Sequence, residues 1–290
     1  MKQIEDRVAV VTGAGSGIGK ALAMGFAHQK AKVVLADVQE DALEAAVNDV
    51  RATGAQAIGV LTDVTDSDSV ARLSSLTLER FGEVHILCNN AGVGGGGFIK
   101  NQQLVDWKWV IDVSLWGVIH GIHHFLPDLI RAEESHVMST ASVAGLMAVP
   151  GLAPYNAAKY GVVAIMETLH HEMERDPDSD VGVSVLCPGT VRTNIATAQR
   201  NRPDELKRNK KNVDLAETRA PEEARKRNAA IAAMLEGGMN PDHVAQKVID
   251  AMLDNQFWIL SHPEHLEEIN HRNQQLANLE NPTLISTFGE

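Results

Sequence analysis

The chain has 290 residues, 44% of them hydrophobic and 22% charged, and carries a formal net charge of −12. Those proportions suit a globular chain able to bury a substantial core, as one large α/β domain or two small ones. The acidity argues against non-specific nucleic-acid binding, which needs a basic footprint. Two cysteines, Cys88 and Cys187, fall in core-like apolar runs and are expected as buried free thiols of a reducing compartment. No signal-peptide core and no apolar stretch of membrane-spanning length is present, so a cytoplasmic protein with no membrane partner is expected.

The first predicted element is the apolar run at 8–11, VAVV. It feeds a glycine-rich turn with Gly13, Gly17 and Gly19, and a helix follows with periodicity over 20–29. In a doubly wound α/β protein such a turn sets backbone N–H groups and a helix N-terminus against a pyrophosphate. The spacing here is G-x-x-x-G-x-G, with Ser16 and Ile18 inside it. A second buried run at 33–36 ends on Asp37, roughly 20 residues past the turn. A carboxylate there accepts hydrogen bonds from ribose hydroxyls and repels a 2′-phosphate. Val38 stands where a basic residue would favour NADP, and Lys20 falls inside the first helix. The expected cofactor is NAD, with NADP second. Another helix is predicted over 41–53, stopped by Gly54, and short apolar runs recur at 57–61, 86–88, 137–139 and 181–186. This alternation predicts a Rossmann-type parallel sheet with helices on both faces, in a single domain spanning 1–290.

The second constellation is Tyr155-Asn156-Ala157-Ala158-Lys159. Residues four apart share a helix face, so phenol and ammonium project together. A free phenol titrates near about 10, too high for an efficient base near neutrality. A neighbouring lysine cation, with an oxidised nicotinamide ring, is expected to lower that value. Ser142 follows the strand at 137–139, where a hydroxyl beside the phenol can hydrogen-bond a carbonyl or alkoxide oxygen.

Six segments occur in one order: TGAGSGIG at 12–19, Asp63-Val64, NNAG at 89–92, STASVAG at 139–145, YNAAK at 155–159 and PGTVRT at 188–193. In these motifs, over about the first 195 residues, the chain resembles the short-chain dehydrogenase/reductase family. The resemblance implies that Gly13, Ser16, Gly17, Ile18 and Gly19 hold the cofactor pyrophosphate, Asp37 its ribose, and Asp63 and Val64 its adenine. Asn90 would brace the sheet beside the cofactor, with Ala91 and Gly92 against it. Tyr155 would be the catalytic acid/base, Ser142 would orient the substrate oxygen, and Lys159 would hold the nicotinamide ribose. Pro188, Gly189 and Thr193 would flank the carboxamide, with Val191 nearby. An alcohol or ketone substrate and a homodimer or homotetramer are implied as well. One position departs. The family carries a relay asparagine in the segment that here reads VSLWG, 113–117, and Ser114 occupies the matching place. Ser114 is therefore a candidate relay residue, since a hydroxyl can still bind water.

Beyond Thr193 the resemblance thins. A substrate lid is expected at about 194–238, helical over 222–235, and a C-terminal extension at about 262–290. Ile195, Leu215, Met234 and Met239 are candidates to line a wide pocket. Residues 200–227 carry ten Lys/Arg against six Asp/Glu, read chiefly as a solvated surface and otherwise as an attraction for an anionic or polyphenolic substrate. The segments at 239–241 and 261–264 are loosely similar to a subgroup acting on bulky benzylic alcohols, such as bacterial lignin-dimer dehydrogenases. His120, His123 and His124, and the pair His262 and His265, are not expected to hold a metal, because zinc needs three or four converging ligands. Trp107, Trp109 and Trp116 read as core or interface aromatics. Two other readings remain: a catalytically weak nucleotide-binding regulator, and a sugar-nucleotide epimerase or dehydratase. Intact Ser142, Tyr155 and Lys159 argue against the first, and a short C-terminal region against the second.

Overall fold

The apolar runs become strands, and the computed structural model, which describes residues 1–208 and 233–283, pairs them into one sheet. Its strands are β1 (Val8–Thr12), β2 (Lys32–Asp37), β3 (Ala57–Leu61), β4 (Ile86–Asn89), β5 (Ser135–Thr140), β6 (Val181–Cys187) and β7 (Trp258–Leu260). All pair in parallel, in the order β3-β2-β1-β4-β5-β6-β7. Parallel neighbours need long crossovers. Helices supply them: α1 (Gly17–His28), α2 (Glu40–Ala52), α3 (Ser67–Phe81), α4 (Leu104–Ile111), α5 (Gly117–Arg131), α6 (Ala153–Met173) and α7 (Pro241–Leu253), with α8 (Leu266–Ala277) after the last strand. This is the doubly wound Rossmann-type fold predicted from the run spacing. The three-residue β7 escapes that prediction.

Side-chain alternation along the buried strands splits the core into two layers. Ala9 and Val11 of β1, with Val33 and Leu35 of β2, face α1, α2 and α7, where Leu22, Phe26, Val47 and Ile249 pack. Val8, Val10, Val34 and Leu87 face the other way, onto Leu73, Phe125 and Met166 of α3, α5 and α6. Both cysteines lie in these layers as free buried thiols. Strand order reverses between β1 and β4, so the crevice at their carboxyl ends is where a doubly wound sheet binds its ligand. No described helix is long and apolar enough to cross a membrane.

Candidate active site

The glycine turn leaves β1 at Thr12 and enters α1 at Gly17. Gly13 and Gly17 have φ of +66° and +56°, in the left-handed region where a side chain is strained. Gly17 also lies against Thr193, whose Cγ2 would be 3.1 Å from a Cβ at that position. The first and last motifs therefore meet across the crevice. Ser16 is the N-cap residue of α1, but its hydroxyl makes no capping bond. Ile18 packs against the core layer behind α1, and Gly19 is buried.

Asp37 closes β2 with its carboxylate turned to the glycine turn. One oxygen accepts from the Gly15 N–H and the other from the Gln39 N–H, both at 2.9 Å. Each oxygen keeps a lone pair for a further donor. Lys20 is turned away, onto Asp49 at 2.5 Å. Arg200 is the basic side chain nearest this corner in bonding terms, and its Nε donates to Gln39 Oε1 at 2.9 Å. Asp63 is exposed and accepts from both the N–H and the hydroxyl of Thr65. Val64 is buried, and its carbonyl accepts from His120 Nδ1 at 2.9 Å.

Thr12 and Asn90 stitch the crevice floor together. Thr12 Oγ1 accepts from the N–H groups of Asn90 and Ala91 at 2.9 and 3.1 Å. The Asn90 amide donates to the Thr12 carbonyl at 3.0 Å and accepts from Thr140 Oγ1 at 3.1 Å. One side chain thereby ties the ends of β1 and β5 together. Thr12 and Thr140 lay inside recognised motifs, yet nothing in their spacing pointed to this bracing. Gly92 is exposed, and a Cβ there would come within 3.5 Å of Lys159 Nζ and 3.7 Å of Ser114 Oγ.

The three groups of the second constellation come together. Ser142 is buried and caps the short turn Val143–Gly145, accepting from the Ala144 N–H at 3.1 Å. The Tyr155 phenol lies close enough for the Ser142 hydroxyl to favour its charged form. Tyr155 lies in the first turn of α6, which opens with Pro154 near its start, and Lys159 follows one turn on. Lys159 Nζ lies 5.6 Å from the Tyr155 ring centroid and donates to the Thr140 carbonyl at 2.6 Å. Burial pulls the ammonium down to about 8. Burial also pushes the Tyr155 phenol up, against the Ser142 hydrogen bond, which lowers it. The lowering of the phenol expected from Lys159 with an oxidised nicotinamide ring is not seen in the protein alone, where burial sets the direction.

Ser114 sits in a π-helical turn, Asp112–Trp116, between α4 and α5. It is fully buried, and its hydroxyl accepts from the Val93 N–H at 3.1 Å and donates to the Val93 carbonyl at 3.2 Å. Its one proton is directed to the Val93 carbonyl, and one lone pair is left to accept from a water.

Pro188, Gly189 and Val191 follow β6. Pro188 and Val191 are buried, and Val191 forms a parallel bridge to Met239. Met239 is half-buried and packs against the layer behind α1. Ile195 approaches Gly94 at 3.5 Å from a Cβ built there, and Met234 is exposed. Leu215 and most of the predicted helix at 222–235 lie outside the described residues. Two basic side chains of the segment after Thr193 turn inward. Arg202 and Arg208 meet Asp106 of α4 at 2.8 and 2.9 Å, and the Arg202 guanidinium lies 5.2 Å from the Trp109 ring centroid. Burial raises the Asp106 carboxyl, but Arg208, the Gln103 N–H and Arg202 together bring it below its usual value. His124 Nε2 meets Ser67 Oγ at 2.9 Å. Among the described residues a metal-sized cluster occurs elsewhere, at the largely exposed His170, His171 and Glu174.

The model of the short chain dehydrogenase family matches residues 7–204, the stretch that carries all six motifs. A short-chain dehydrogenase/reductase from Burkholderia phymatum, solved in complex with NAD, is 40% identical and superposes with a TM-score of 0.92 over 99% of this chain and all of that one. A C alpha-dehydrogenase from a Sphingobium strain is 31% identical over 280 residues, 96% of this chain and 88% of its own length. A CLA biosynthesis dehydrogenase/reductase from Lactiplantibacillus plantarum is 30% identical over 279 residues, covering 96% and 95%. With the parallel sheet, the glycine turn and the Ser–Tyr–Lys group in place, the chain belongs to the short-chain dehydrogenase/reductase family of oxidoreductases.

Proposed function

We propose that the protein transfers hydride between NAD and a secondary alcohol or ketone, with Tyr155 as acid/base. The observation that carries this reading is the grouping of the half-buried Tyr155 with the buried Ser142 and Lys159, whose ammonium lies 5.6 Å from the phenol ring centroid. A bulky, apolar or aromatic substrate fits best. Tyr155 packs with Val93, Trp109, Ala198 and Leu206, so one wall beside the phenol is apolar. The likeness to a C alpha-dehydrogenase supports the same substrate class.

The chain's own residues fit an NAD molecule. The positive-φ glycines bare the backbone at the N-terminus of α1, and both Asp37 oxygens are held facing the turn with lone pairs to spare. When bound, the cofactor supplies or accepts the hydride and its ring adds positive charge beside the phenol. Tyr155 takes the hydroxyl proton in oxidation and returns one to the alkoxide oxygen in reduction. The Ser142 proton, directed to the Pro188 carbonyl at 3.4 Å, would turn to that oxygen when substrate binds and hold it at the phenol. Lys159 stabilises the phenolate and would bind the nicotinamide ribose. Ser114 is a positioning residue in this scheme, because its hydroxyl fixes the Val93 backbone beside Lys159.

Titration of oxidised NAD and NADP against tryptophan fluorescence, followed by an alcohol panel read at the NADH absorbance band, tests the proposal. NAD is expected to bind roughly 100-fold tighter, since a 2′-phosphate facing Asp37 costs several kcal/mol. Tighter NADP would overturn the cofactor assignment and turn attention to Arg200. No turnover with any secondary alcohol or ketone would favour the nucleotide-binding regulator instead.

A further inference from the structure

The peptide between Pro188 and Gly189 is held at both polar ends. Its carbonyl accepts from the Val143 N–H at 3.0 Å and from the Ser142 hydroxyl at 3.4 Å. Its N–H points to Ser261 Oγ and His262 Nδ1, each at 3.3 Å. Those two residues follow β7, where Ser261 is buried and its Oγ lies 2.6 Å from His262 Nδ1. One proton assignment satisfies all of these contacts. Ser261 donates its O–H to Nδ1, and the Gly189 N–H is shared between Ser261 Oγ and Nδ1. Nδ1 must then be bare, with the imidazole proton on Nε2. A charged imidazole makes Nδ1 a donor to Ser261 Oγ, so the Gly189 N–H loses Nδ1 and keeps Ser261 Oγ alone.

The fit is close. A Cβ at Gly189 would lie 2.8 Å from His262 Cγ and 3.0 Å from His265 Nε2. Behind this pair, His265 Nδ1 lies 3.6 Å from Glu268 Oε2 of α8. The C-terminal segment thus reaches, through a single peptide bond, the serine beside the phenol.

We propose that His262, with Ser261, is a positioning residue for the reaction: it grips the Gly189 N–H and so fixes the carbonyl that, with Val143, holds Ser142 against Tyr155. The inference rests on the reading of Ser142 and Tyr155 as the reacting pair. It carries a pH dependence, because only neutral His262 offers Nδ1 to the Gly189 N–H and completes the grip. Burial disfavours the charged imidazole, as do His265 and Lys247 of α7. Glu264 and the Thr190 backbone favour it, and the balance lies below 6.5. Turnover is therefore full near neutrality and falls as pH drops through the His262 titration.

The test begins on the ligand-free chain, labelled with carbonyl-13C proline and 15N glycine. Only two Pro–Gly steps exist, Pro150–Gly151 and Pro188–Gly189, so two amide signals are selected. One signal is expected to titrate below pH 6.5 in the wild type and to stay still in His262→Asn, whose Oδ1 accepts without titrating. In steady-state kinetics His262→Asn is expected to keep kcat and lose the acid limb. His262→Leu is expected to lower kcat roughly 10- to 100-fold, the scale of a small misplacement of a reacting group, with NADH affinity unchanged. Gly189→Ala, which pushes the imidazole away, is expected to lower kcat as His262→Leu does. A Gly189 amide that does not titrate, or a His262→Leu protein as fast as wild type, would overturn the inference. If the wild type turns over no alcohol at all, the site reading falls and takes the positioning role with it, even where the amide titration persists.

Discussion

At the residue scale burial moves the phenol and the ammonium in opposite directions, each toward its neutral form. Tyr155 is raised by burial and Lys159 is lowered to about 8, so the protein alone favours a neutral phenol beside a lysine that titrates within the working range. Tyr155→Phe is expected to cut kcat about 1,000-fold or more, the upper range for a positioned proton donor, with NAD affinity nearly intact. Fluorescence titration and initial rates measured side by side check it, and retained turnover would assign the proton to another group. Lys159→Ala is expected to weaken both quantities. Ser114 makes a different prediction. Removing its hydroxyl strands a buried Val93 N–H and carbonyl, at about 1–3 kcal/mol each. Ser114→Ala is therefore expected to lower the melting temperature and reduce turnover about 10-fold, while leaving the shape of the pH–rate profile unchanged. A profile altered only at low pH, with wild-type stability, would restore Ser114 as a proton relay.

At the element scale the strands that carry the crevice were legible because they are short, continuous apolar runs, each followed by a polar or glycine-rich stretch. The Tyr155–Lys159 pairing was legible because a four-residue spacing on a helix fixes one face. Three features were not. The strand β7 is only Trp258–Leu260, with Trp258 exposed, so it shows neither length nor a buried pattern. The π turn at Ser114 is composed like any helix, and its register follows from packing between α4 and α6 rather than from local propensity. The grip on Gly189 joins residues 72 and 73 positions apart, a separation no local pattern encodes. Two basic side chains of the segment after Thr193 have a partner that local sequence could not show: Arg202 and Arg208 close on Asp106, whose side chain is buried together with that of Arg202. Breaking such a pair leaves uncompensated buried charge, at about 3–5 kcal/mol. Asp106→Asn is expected to lower the melting temperature and raise the substrate KM several-fold through a loosened lid, with little change in NAD affinity. Scanning calorimetry with steady-state kinetics separates these effects, and an unchanged KM would confine Asp106 to stability.

At the scale of the whole molecule, the sheet divides labour between its two edges. The carboxyl ends of the strands carry the candidate site, and the opposite edge carries a buried histidine with no part in it. His136 enters β5 fully buried, and its Nε2 meets Ser184 Oγ at 2.8 Å. Ser184 gives its own proton to the Gln256 carbonyl at 2.6 Å, so His136 must donate from Nε2. Its Nδ1 is buried without a hydrogen-bond partner, facing Gly182, where a Cβ would lie 2.4 Å away. A proton added at Nδ1 would be a buried donor with nothing to receive it. Burial, with the N-terminal ammonium, accordingly lowers His136 to about 3. The unfolded chain protonates this group near 6.5, so it binds more protons than the native state between those values. Stability is then full above pH 6.5 and is lost as pH falls. At pH 5 the loss is about 2 kcal/mol from this group alone, several degrees for a chain of this size. His85, also lowered by burial, adds in the same direction. Melting curves from pH 7.5 to 5 are expected to show this decline in the wild type. In His136→Gln the midpoint should start lower, because the packing is disturbed, but fall less steeply. Parallel slopes for the two proteins would remove His136 from the acid response and leave His85, His124 and His262 to account for it.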